Sequence, residues 1–377
     1  MKSNHNVLLI VAVLATQCLA AERPMVITLQ NKAVRCRIDP AGGGIVEFRF
    51  KDNSVNPLNW RSTPEEDPEQ KKDGIVLQGH FLCLDRWGAP SAAEQKQGVP
   101  FHGEAPRVMW STKSHAANRR HLRVSMECVL PLAQLSCKRE VYFGGGKGSG
   151  SVMRILETVT NTGKLGRILN IVQHPSIAPP FLDESTLVDS NADLGFLQMD
   201  DGSIPSSKKK AYAWPNIVIK NKKHDLRRFR NDVPSGHDVS SFRFKKKQRN
   251  GWVTACNPKQ GILLGYVWTT KDYPWLNIWR YIADGKVQAR GLEFGTTGLH
   301  QPFEVLLKRR RALKRPLYEY LDAGQRQQKQ YYMFLAKVPA DFKGVGKLTT
   351  TPDRFTLTER NSTRQVVVKL SEIEVQG

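Results

Sequence analysis

The feature that most constrains this chain is the recurrence of short runs in which β-branched and aromatic residues alternate with polar ones. Turn-forming residues bound most of these runs, as in DPAGGG at 39–44 and ADGK at 283–286. Period-two alternation between such turns is typical of strands. Eleven runs are predicted to be strands: 25–30, 33–38, 44–50, 121–130, 138–143, 152–161, 251–256, 261–268, 303–310, 354–358 and 365–370.

Few segments have the sequence pattern of a helix. Residues 315–336 are predicted to be part helix and part strand, and residues 91–97 a short turn of helix. GGGKGSGS at 144–151 is predicted to be a flexible hairpin loop, and it lacks the GK[ST] ending of a phosphate-binding loop. Because no fixed-period repeat or linker divides the chain, the pattern predicts an all-β fold, one large antiparallel β-sandwich. The last 40 residues or so are the part that could form an appended strand pair.

The first twenty residues have the pattern of a cleaved signal peptide. Lys2 precedes the apolar run VLLIVAVLA at 7–15, and small residues surround Ala20. The run is shorter than the roughly 20 residues that span a bilayer. We therefore expect residues 1–20 to be removed, and residues 21–377 to form a single secreted or periplasmic domain without a membrane span.

The chain is strongly basic, with 57 Lys and Arg against 35 Asp and Glu and a formal charge of +22. Such a charge attracts anions in general, including acidic polysaccharides, phosphates and nucleic acids. The basic runs at 208–210, 245–247 and 309–311 are dispersed, and no nucleic-acid-binding motif accompanies them. A solvated basic surface is therefore favoured, and nucleic acid is not expected as a partner.

Cysteine and acidic residues give no sign of a metal or cofactor site. The expected mature chain keeps an odd number of cysteines without a CxxC pair, so neither a disulfide framework nor a zinc site is indicated. Cys128 and Cys137 either pair across a hairpin or remain as buried thiols. No calcium-binding loop fits the spacing of the acids Asp189, Asp193, Asp200 and Asp201.

Four segments place polar side chains among apolar ones, beside glycine or proline. This is how a site looks when strand ends and loops build it. The segments are QGHFLCLDRWGAP (78–90), PFHGEAPRVMW (100–110), LNIVQHPSIAPPF (169–181) and ARGLEFGTTGLHQPF (289–303).

Taken in order, these segments resemble the galactose mutarotase-like superfamily, which includes aldose 1-epimerases and hexose-6-phosphate epimerases. His102 with its following glycine matches the family's His-Gly pair, and His174 begins the acid-bearing segment. GLEFGTTG resembles the late strand that carries the base, which is Glu293 here. The resemblance covers roughly residues 27–307. The chain departs from it at Glu104, where glycine or phenylalanine is usual, and at Ser176, where an aromatic residue is usual.

The resemblance implies an exported aldose 1-epimerase-like isomerase that interconverts sugar anomers through ring opening. A base, Glu293, would take the proton of the anomeric hydroxyl while an acid, His174, protonates the ring oxygen from the opposite side of the sugar. Burial among aromatic residues would raise the pKa of the carboxyl group. His102 and Arg86 are candidates for binding sugar hydroxyls.

Aromatic side chains just upstream of Glu293 are candidates for covering the apolar face of a sugar. Trp275, Trp279 and Tyr281 lie in YPWLNIWRY at 273–281, and we expect at least one of the three to belong to the core. Trp279 is the predicted sugar contact.

Two other functions remain open from the sequence. One is a secreted carbohydrate-binding protein of the same fold without turnover, and the other, ranked third, is a polysaccharide-cleaving enzyme. In each case the expected partner is a mono- or oligosaccharide, possibly anionic, and no cofactor is implied.

Overall fold

The computed structural model describes residues 25–117, 121–144, 150–205, 210–219, 221–228 and 236–370. The expected signal peptide and most of the 144–151 loop lie outside these ranges. Within them the chain forms 26 strands, three short α-helices and short 3-10 turns. No helix of the described residues has the length and apolarity needed to cross a bilayer.

The first thirteen strands, in chain order, are β1 (Ile27–Gln30), β2 (Val34–Ile38), β3 (Ile45–Phe50), β4 (His80–Asp85), β5 (Ser111–Ala117), β6 (His121–Leu130), β7 (Leu135–Gly144), β8 (Gly150–Asn161), β9 (Arg167–Ile177), β10 (Leu187–Ser190), β11 (Leu194–Leu197), β12 (Tyr212–Ala213) and β13 (Asn216–Ile219). The other thirteen are β14 (Lys222–Asp225), β15 (Gly236–Arg243), β16 (Asn250–Asn257), β17 (Ile262–Thr269), β18 (Trp275–Ala283), β19 (Lys286–Gly295), β20 (Arg311–Ala312), β21 (Arg315–Pro316), β22 (Glu319–Leu321), β23 (Arg326–Lys337), β24 (Val345–Thr351), β25 (Arg354–Glu359) and β26 (Gln365–Lys369). The helices are α1 (Gln70–Asp73), α2 (Ala92–Lys96) and α3 (Phe303–Arg309), and the 3-10 turns are Ala105–Arg107 and Pro258–Gln260.

Two large antiparallel sheets make up the sandwich. The eleven-stranded sheet has the order β1-β2-β3-β4-β9-β19-β18-β15-β11-β12, and β22 also pairs with β9. The eight-stranded sheet has the order β10-β16-β17-β23-β8-β7-β6-β5. The all-β sandwich predicted from the alternating runs is confirmed.

Apolar side chains from both sheets meet in one core. On β2, for example, Val34, Cys36 and Ile38 are buried while the residues between them are less so, as period-two alternation requires. Phe294 of β19 stacks on Trp268 of β17 with ring centroids 4.2 Å apart, which joins the two sheets. Aromatic pairs of this kind contribute about 0.5–1.5 kcal/mol beyond the burial of their area.

The C-terminal residues form a third layer. Strands β24, β25 and β26 make a three-stranded antiparallel sheet, so the expected strand pair is one strand short. Its apolar face, with Phe355 and Leu357, packs on the outer face of the eight-stranded sheet beside Phe334. The eight-stranded sheet is therefore covered on both faces.

One prediction of secondary structure was wrong and another was wrong in its helical part. Residues 303–310 were predicted to be a strand but contain helix α3, in which Phe303 and Leu306 are buried three residues apart on one face. Residues 315–336 form strands β21, β22 and β23 instead of any helix. Strand β23 pairs with β8 over eleven residues, and this tertiary pairing outweighs the helix propensity of its Gln, Lys and Leu residues.

Two other local predictions agree with the structure. Helix α2 lies within residues 91–97 and begins with a capping box in which the Ser91 side chain and Glu94 exchange hydrogen bonds with the backbone. Cys128 lies directly opposite Cys137 on β6 and β7, and both are buried free thiols.

Candidate active site

The central strands of the eleven-stranded sheet bring a carboxylate and an imidazole together. His174 lies on β9 and Glu293 on the neighbouring strand β19. The Oε1 atom of Glu293 is 3.3 Å from Nε2 of His174. Both side chains are buried at the floor of a cavity on the face of the sheet away from the core.

The His174 ring is held from two sides. Its Nδ1 atom is 3.0 Å from the hydroxyl oxygen of Ser176, the next residue on the same face of β9. Its plane stacks on Phe81, the paired residue of β4, with centroids 4.3 Å apart. The hydroxyl of Ser176 holds the ring whether it donates to Nδ1 or accepts from it, a choice that follows the tautomer of the imidazole. Ser176, a departure from the family pattern, thus orients the imidazole.

The Glu293 carboxylate is incompletely satisfied. Its side chain is 1% exposed, and Oε2 accepts no hydrogen bond from the described residues. The nearby indole N–H of Trp87 is buried too; it is not in ordinary hydrogen-bond geometry, but it is close enough to lower the pKa of Glu293. Burial raises the pKa of Glu293 well above its ordinary value, and Trp87 opposes this only in part. A buried polar atom left without a partner is a common sign of a ligand site.

A glycine makes room for the carboxylate. A Cβ atom at Gly291, two residues before Glu293 on β19, would lie 2.5 Å from the glutamate Oε1 and 3.0 Å from the Cβ of Trp279. The first distance is too short for a Cβ atom unless the carboxylate moves, and the second is tight. Gly291 therefore allows the acid and the indole to occupy adjacent positions on the cavity floor.

Two more imidazoles stand beside the pair. The rings of His102 and His174 are 5.2 Å apart, and the ring of His300 lies 5.4 Å from that of His102. The backbone N–H of Gly88 donates to Nδ1 of His102, which leaves the proton of the neutral ring on Nε2. Burial lowers the pKa of His174 to about 3, that of His300 to about 4, and that of His102 well below its usual range. Burial thus favours the uncharged form of each ring in the free protein.

The cavity above these residues has a volume of about 1010 Å³. Aromatic rings form much of its wall, and a few polar groups converge on its floor, as in many small-molecule sites. The aromatic lining consists of Trp60, Phe81, Trp87, Phe101 and Trp279, and the imidazoles are those of His102, His174, His237 and His300.

Comparisons with known proteins identify this architecture. No protein-family model matches the chain, and no curated protein matches its sequence. Solved structures match its fold. A candidate aldose 1-epimerase from Klebsiella pneumoniae superposes with a TM-score of 0.58 at 14% identity, over 83% of this chain and 79% of that one. A galactose mutarotase related enzyme from Lactobacillus acidophilus gives 0.57 at 12% identity, over 84% and 98%. A galactose mutarotase-like protein from Clostridium acetobutylicum gives 0.56 at 14% identity, over 83% and 95%.

The chain has the galactose mutarotase-like fold. The resemblance inferred from the order of the four sequence segments is thus confirmed at the level of the fold. Identities of this size establish the fold alone, because one fold serves many chemistries.

Four of the five residues singled out in the sequence line the same cavity: His102, His174, Trp279 and Glu293. The fifth, Arg86, does not line it. The guanidinium of Arg86 is buried between Asp85 and Glu94, at 2.7 and 2.8 Å, and lies over the ring of Phe303. This position gives no support to a role in sugar binding. Of the three upstream aromatic residues, Trp275 belongs to the core, as expected for at least one of them.

Several lining residues were not predicted from the sequence, notably Trp87, His237 and His300. Trp87 and His300 both occur within the four segments, so their positions next to other site residues were available as a signal. His237 lies on β15, outside those segments, and only the pairing of β15 with β18 brings it to the cavity.

Glu104 and Asp189, one of the acids considered for calcium, have structural partners. Glu104 accepts hydrogen bonds from the backbone N–H groups of Leu132 and Ala133, so it fixes the turn between β6 and β7. Asp189 pairs with Arg227 and Arg360. No group of three or more potential ligands is placed to hold a metal ion among the residues that the structure describes.

Proposed function

We propose that this chain interconverts the anomers of an aldose sugar, with Glu293 as the base and His174 as the acid. The observation that carries the proposal is the contact between a buried, incompletely satisfied carboxylate and an oriented imidazole on the floor of an aromatic cavity. The fold shared with mutarotase-like proteins supports the same choice of chemistry.

The side-by-side arrangement of the pair suits this reaction. The sequence placed the two groups on opposite sides of the sugar, whereas they lie next to each other on adjacent strands. The anomeric hydroxyl and the ring oxygen are bonded to the same carbon, so neighbouring groups can reach both. Oε2 of Glu293 makes no hydrogen bond of ordinary geometry and has the Trp87 indole N–H as a neighbour, so it can accept the hydroxyl proton.

The proton balance closes over one cycle. The cycle starts when the one proton held by the buried pair moves from Glu293 to His174 across their 3.3 Å contact. Glu293 as carboxylate then takes the proton of the anomeric hydroxyl as that oxygen becomes a carbonyl, the bond from C1 to the ring oxygen breaks, and the protonated His174 gives its proton to the ring oxygen. Glu293 and His174 are then both uncharged. Rotation about the C1–C2 bond and the reverse transfers close the ring as the other anomer.

Burial affects the two states of the pair differently. It raises the pKa of Glu293 and lowers that of His174, so it favours the neutral pair. The uncharged pair is the protonation state that is present when the sugar is an open-chain aldehyde. The dry floor of the cavity therefore favours the protonation state that accompanies the ring-opened intermediate, whereas water would favour the ion pair.

Neighbouring groups would bind and orient the sugar. The Nε2–H of His102 is a hydrogen-bond donor beside the pair, and the ring of Trp279 offers an apolar surface for the C–H face of a pyranose. The side chain of Gln198 also lines the cavity, where it accepts a hydrogen bond from the backbone of His300.

Magnetisation-transfer NMR on a panel of reducing sugars tests the proposal directly. We expect the protein to raise the rate of exchange between α and β anomers for at least one aldose well above the rate in buffer. A protein that binds sugars but leaves every exchange rate at the buffer value would overturn the enzymatic proposal, and would make the chain a carbohydrate-binding protein.

We also propose export, on the basis of the pattern in residues 1–20. The intact mass of the protein recovered from its native source tests this. A mass corresponding to cleavage near Ala20 is expected, and a full-length cytoplasmic product would contradict it.

A further inference from the structure

Two basic segments that are far apart in the sequence meet at one end of the eleven-stranded sheet. Residues 243–249 connect β15 of that sheet to β16 of the eight-stranded sheet, and residues 310–315 include the hairpin of β20 and β21. The guanidinium of Arg315 donates to the backbone carbonyl of Phe244 over 2.7 Å. The two segments are therefore neighbours in the fold.

These segments concentrate positive charge. Nine of their thirteen residues are Lys or Arg, and none is acidic. Among the described residues, the one ion pair that they form joins Arg243 to Asp193. We call the other eight cations the basic patch: Lys245, Lys246, Lys247, Arg249, Arg310, Arg311, Lys314 and Arg315. All but Arg315 are exposed, and none of the eight lines the cavity of the candidate active site.

The patch unites basic runs that are dispersed in the sequence. Two of the three runs contribute to it, although they are more than 60 residues apart. Lys308 and Arg309 are not counted in the patch, because they line a small cavity together with the acids Asp201 and Glu304. The fold thus gathers part of the formal charge of +22 on one surface instead of spreading all of it.

The hairpin holds its cations in strained backbone. Its turn residues, Leu313 and Lys314, have φ angles of 45° and 68°, and Arg310 has a φ of 59°. This left-handed conformation suits glycine and asparagine far better than other residues. Leu313 is buried in a cluster of apolar side chains, whereas Lys314 is exposed. Packing therefore explains the leucine but not the lysine, for which charge is the remaining property.

Arg315 is also held at a cost. Burial and the nearby guanidinium of Arg243 lower the pKa of Arg315. The buried Nε atom of Arg315 has no hydrogen-bond partner among the described residues. A bound anion would reduce the repulsion between the cations and could satisfy the free N–H group.

The apolar residues of the two segments help to define the kind of anion. Phe244, Ala312 and Leu313 are all buried. The segments therefore offer no apolar side chain for insertion into a bilayer and no ring on which an unpaired base could stack. Exposed lysines and arginines on turns suit a hydrated chain of carboxylates or sulfates. Export, as proposed above, would bring the protein into contact with extracellular polysaccharide rather than nucleic acid.

We propose that the basic patch binds an acidic polysaccharide, a polymer of uronic acid or sulfated sugar units. The polymer would attach the protein through a surface separate from the cavity. Lys245 lies six residues beyond Val239 of the cavity lining, about 20 Å along an extended chain. An anionic carbohydrate, one of the partners expected from the sequence, would then bind outside the cavity. This inference holds whether or not the chain exchanges anomers.

Calorimetry with polymers of different charge tests the proposal. The probes are polygalacturonate and chondroitin sulfate, with dextran as the neutral polymer, and with duplex DNA and phosphatidylglycerol vesicles as other anionic surfaces. We expect one of the acidic polysaccharides to have the lowest Kd, and that Kd to rise with salt as screening weakens the ion pairs. Dextran should not bind. A lack of binding to both acidic polysaccharides at low salt would overturn the proposal, and so would tighter binding to DNA or to the vesicles.

Two triple variants with the same change in net charge locate the binding surface. The patch variant carries Lys245→Gln, Lys246→Gln and Lys247→Gln. The control variant carries Lys51→Gln, Lys259→Gln and Lys286→Gln, at three exposed lysines outside the patch. Two of the control lysines follow the ends of β16 and β18 that are remote from the patch.

The patch variant should raise the Kd of the polysaccharide roughly 3- to 100-fold, the range for three exposed ion pairs. The control variant should change the Kd much less. Equal losses in the two variants would show that net charge alone attracts the polymer, and would overturn the patch as a site.

A single substitution separates the charge of the patch from the folding of the hairpin. Lys314→Asn removes one cation at a left-handed position that asparagine tolerates. The Kd should rise roughly 1.5- to 5-fold, the contribution of one exposed ion pair, while the Tm measured by circular dichroism does not fall. A Kd that is unchanged both in Lys314→Asn and in the triple patch variant would contradict the proposal.

Discussion

Two buried glutamates, Glu157 and Glu293, show how differently one sandwich treats the same side chain. Both are 1% exposed. Glu157 of β8 lies between the two sheets, where Arg139 and Gln173 donate hydrogen bonds to it at 2.8 and 2.6 Å. Glu293 lies on the outer face of the eleven-stranded sheet, with one oxygen near His174 and the other without a partner.

A single strand serves both sites. On β9, Gln173 points into the sandwich toward Glu157, and the next residue, His174, points into the cavity toward Glu293. The glutamate whose hydrogen bonds are complete has nothing left to offer a ligand, so it stabilises the fold. The glutamate with a free oxygen is a cost to folding that a bound hydroxyl group can offset.

The strongest test of this contrast is the exchange of each acid for its amide. Glu293→Gln keeps the shape of the side chain but removes the base, so anomer exchange is expected to fall by about 100- to 10,000-fold. Magnetisation-transfer NMR measures the loss, and calorimetry should show that sugar binding persists. The matched variant Glu157→Gln should keep the exchange rate per folded molecule. Unchanged exchange in Glu293→Gln would make this glutamate structural.

The free energy of unfolding should respond in the opposite way, falling in the Glu157 variant but not in the Glu293 variant. Glu157→Gln leaves the buried guanidinium of Arg139 without its counter-charge, and we expect the free energy of unfolding to fall by about 3–5 kcal/mol. Urea denaturation followed by tryptophan fluorescence measures it. Glu293→Gln, in the same experiment, should not destabilise the protein. Equal losses for the two variants would remove the distinction between the two sites.

The pH dependence of stability sharpens the comparison. Because burial raises the pKa of Glu293, folding retains a proton that the unfolded chain releases above the ordinary pKa of 4.5. The contribution of this group therefore becomes less favourable as pH rises, by about 1.4 kcal/mol per pH unit until the folded pKa is passed. Above pH 4.5 the free energy of unfolding of Glu293→Gln, relative to that of the wild type, should therefore rise with that slope. Below pH 4.5 the two proteins should be equally stable. Parallel stability curves would contradict the raised pKa.

The smallest effect concerns the orientation of the imidazole. Ser176→Ala removes the hydroxyl at Nδ1 of His174, and the loss of one hydrogen bond of about 0.5–1.5 kcal/mol should slow exchange by roughly 2- to 10-fold. Ser176→Thr, which keeps the hydroxyl, should restore most of the rate. A shift in the pH profile of the exchange rate in Ser176→Ala would show that the loss acts through the imidazole. An unchanged rate with an unchanged profile would show that Ser176 does not orient His174.

Much of the fold followed from local pattern, and its exceptions have physical reasons. Alternation found the strands because half-buried strands repeat every two residues. It failed at 303–310, where the apolar residues at 303, 305, 306 and 307 fit a strand and a helix equally well, and for the helical part of 315–336, where pairing with β8 decides the structure.

The site was predictable only where residues lie within recognisable segments. His102, His174 and Glu293 were found by the order of those segments. His237 was not, because its proximity to Trp279 arises from cross-strand pairing, which the sequence does not encode locally. Arg86 is likewise held away from the cavity by Glu94, because helix α2 brings Glu94 back toward the end of β4.

The arrangement of β9 makes the proposed activity sensitive to an error in strand register. Strand β9 pairs with β4 over six residues, from Pro175 opposite His80 to Asn170 opposite Asp85. A slip of one residue would turn over every side chain of the strand, so that His174 would face the dry interior and Gln173 the cavity. Such a molecule would keep nearly all of its strands and would look folded by circular dichroism. In preparations of this protein, therefore, specific activity rather than secondary-structure content would count the correctly registered molecules.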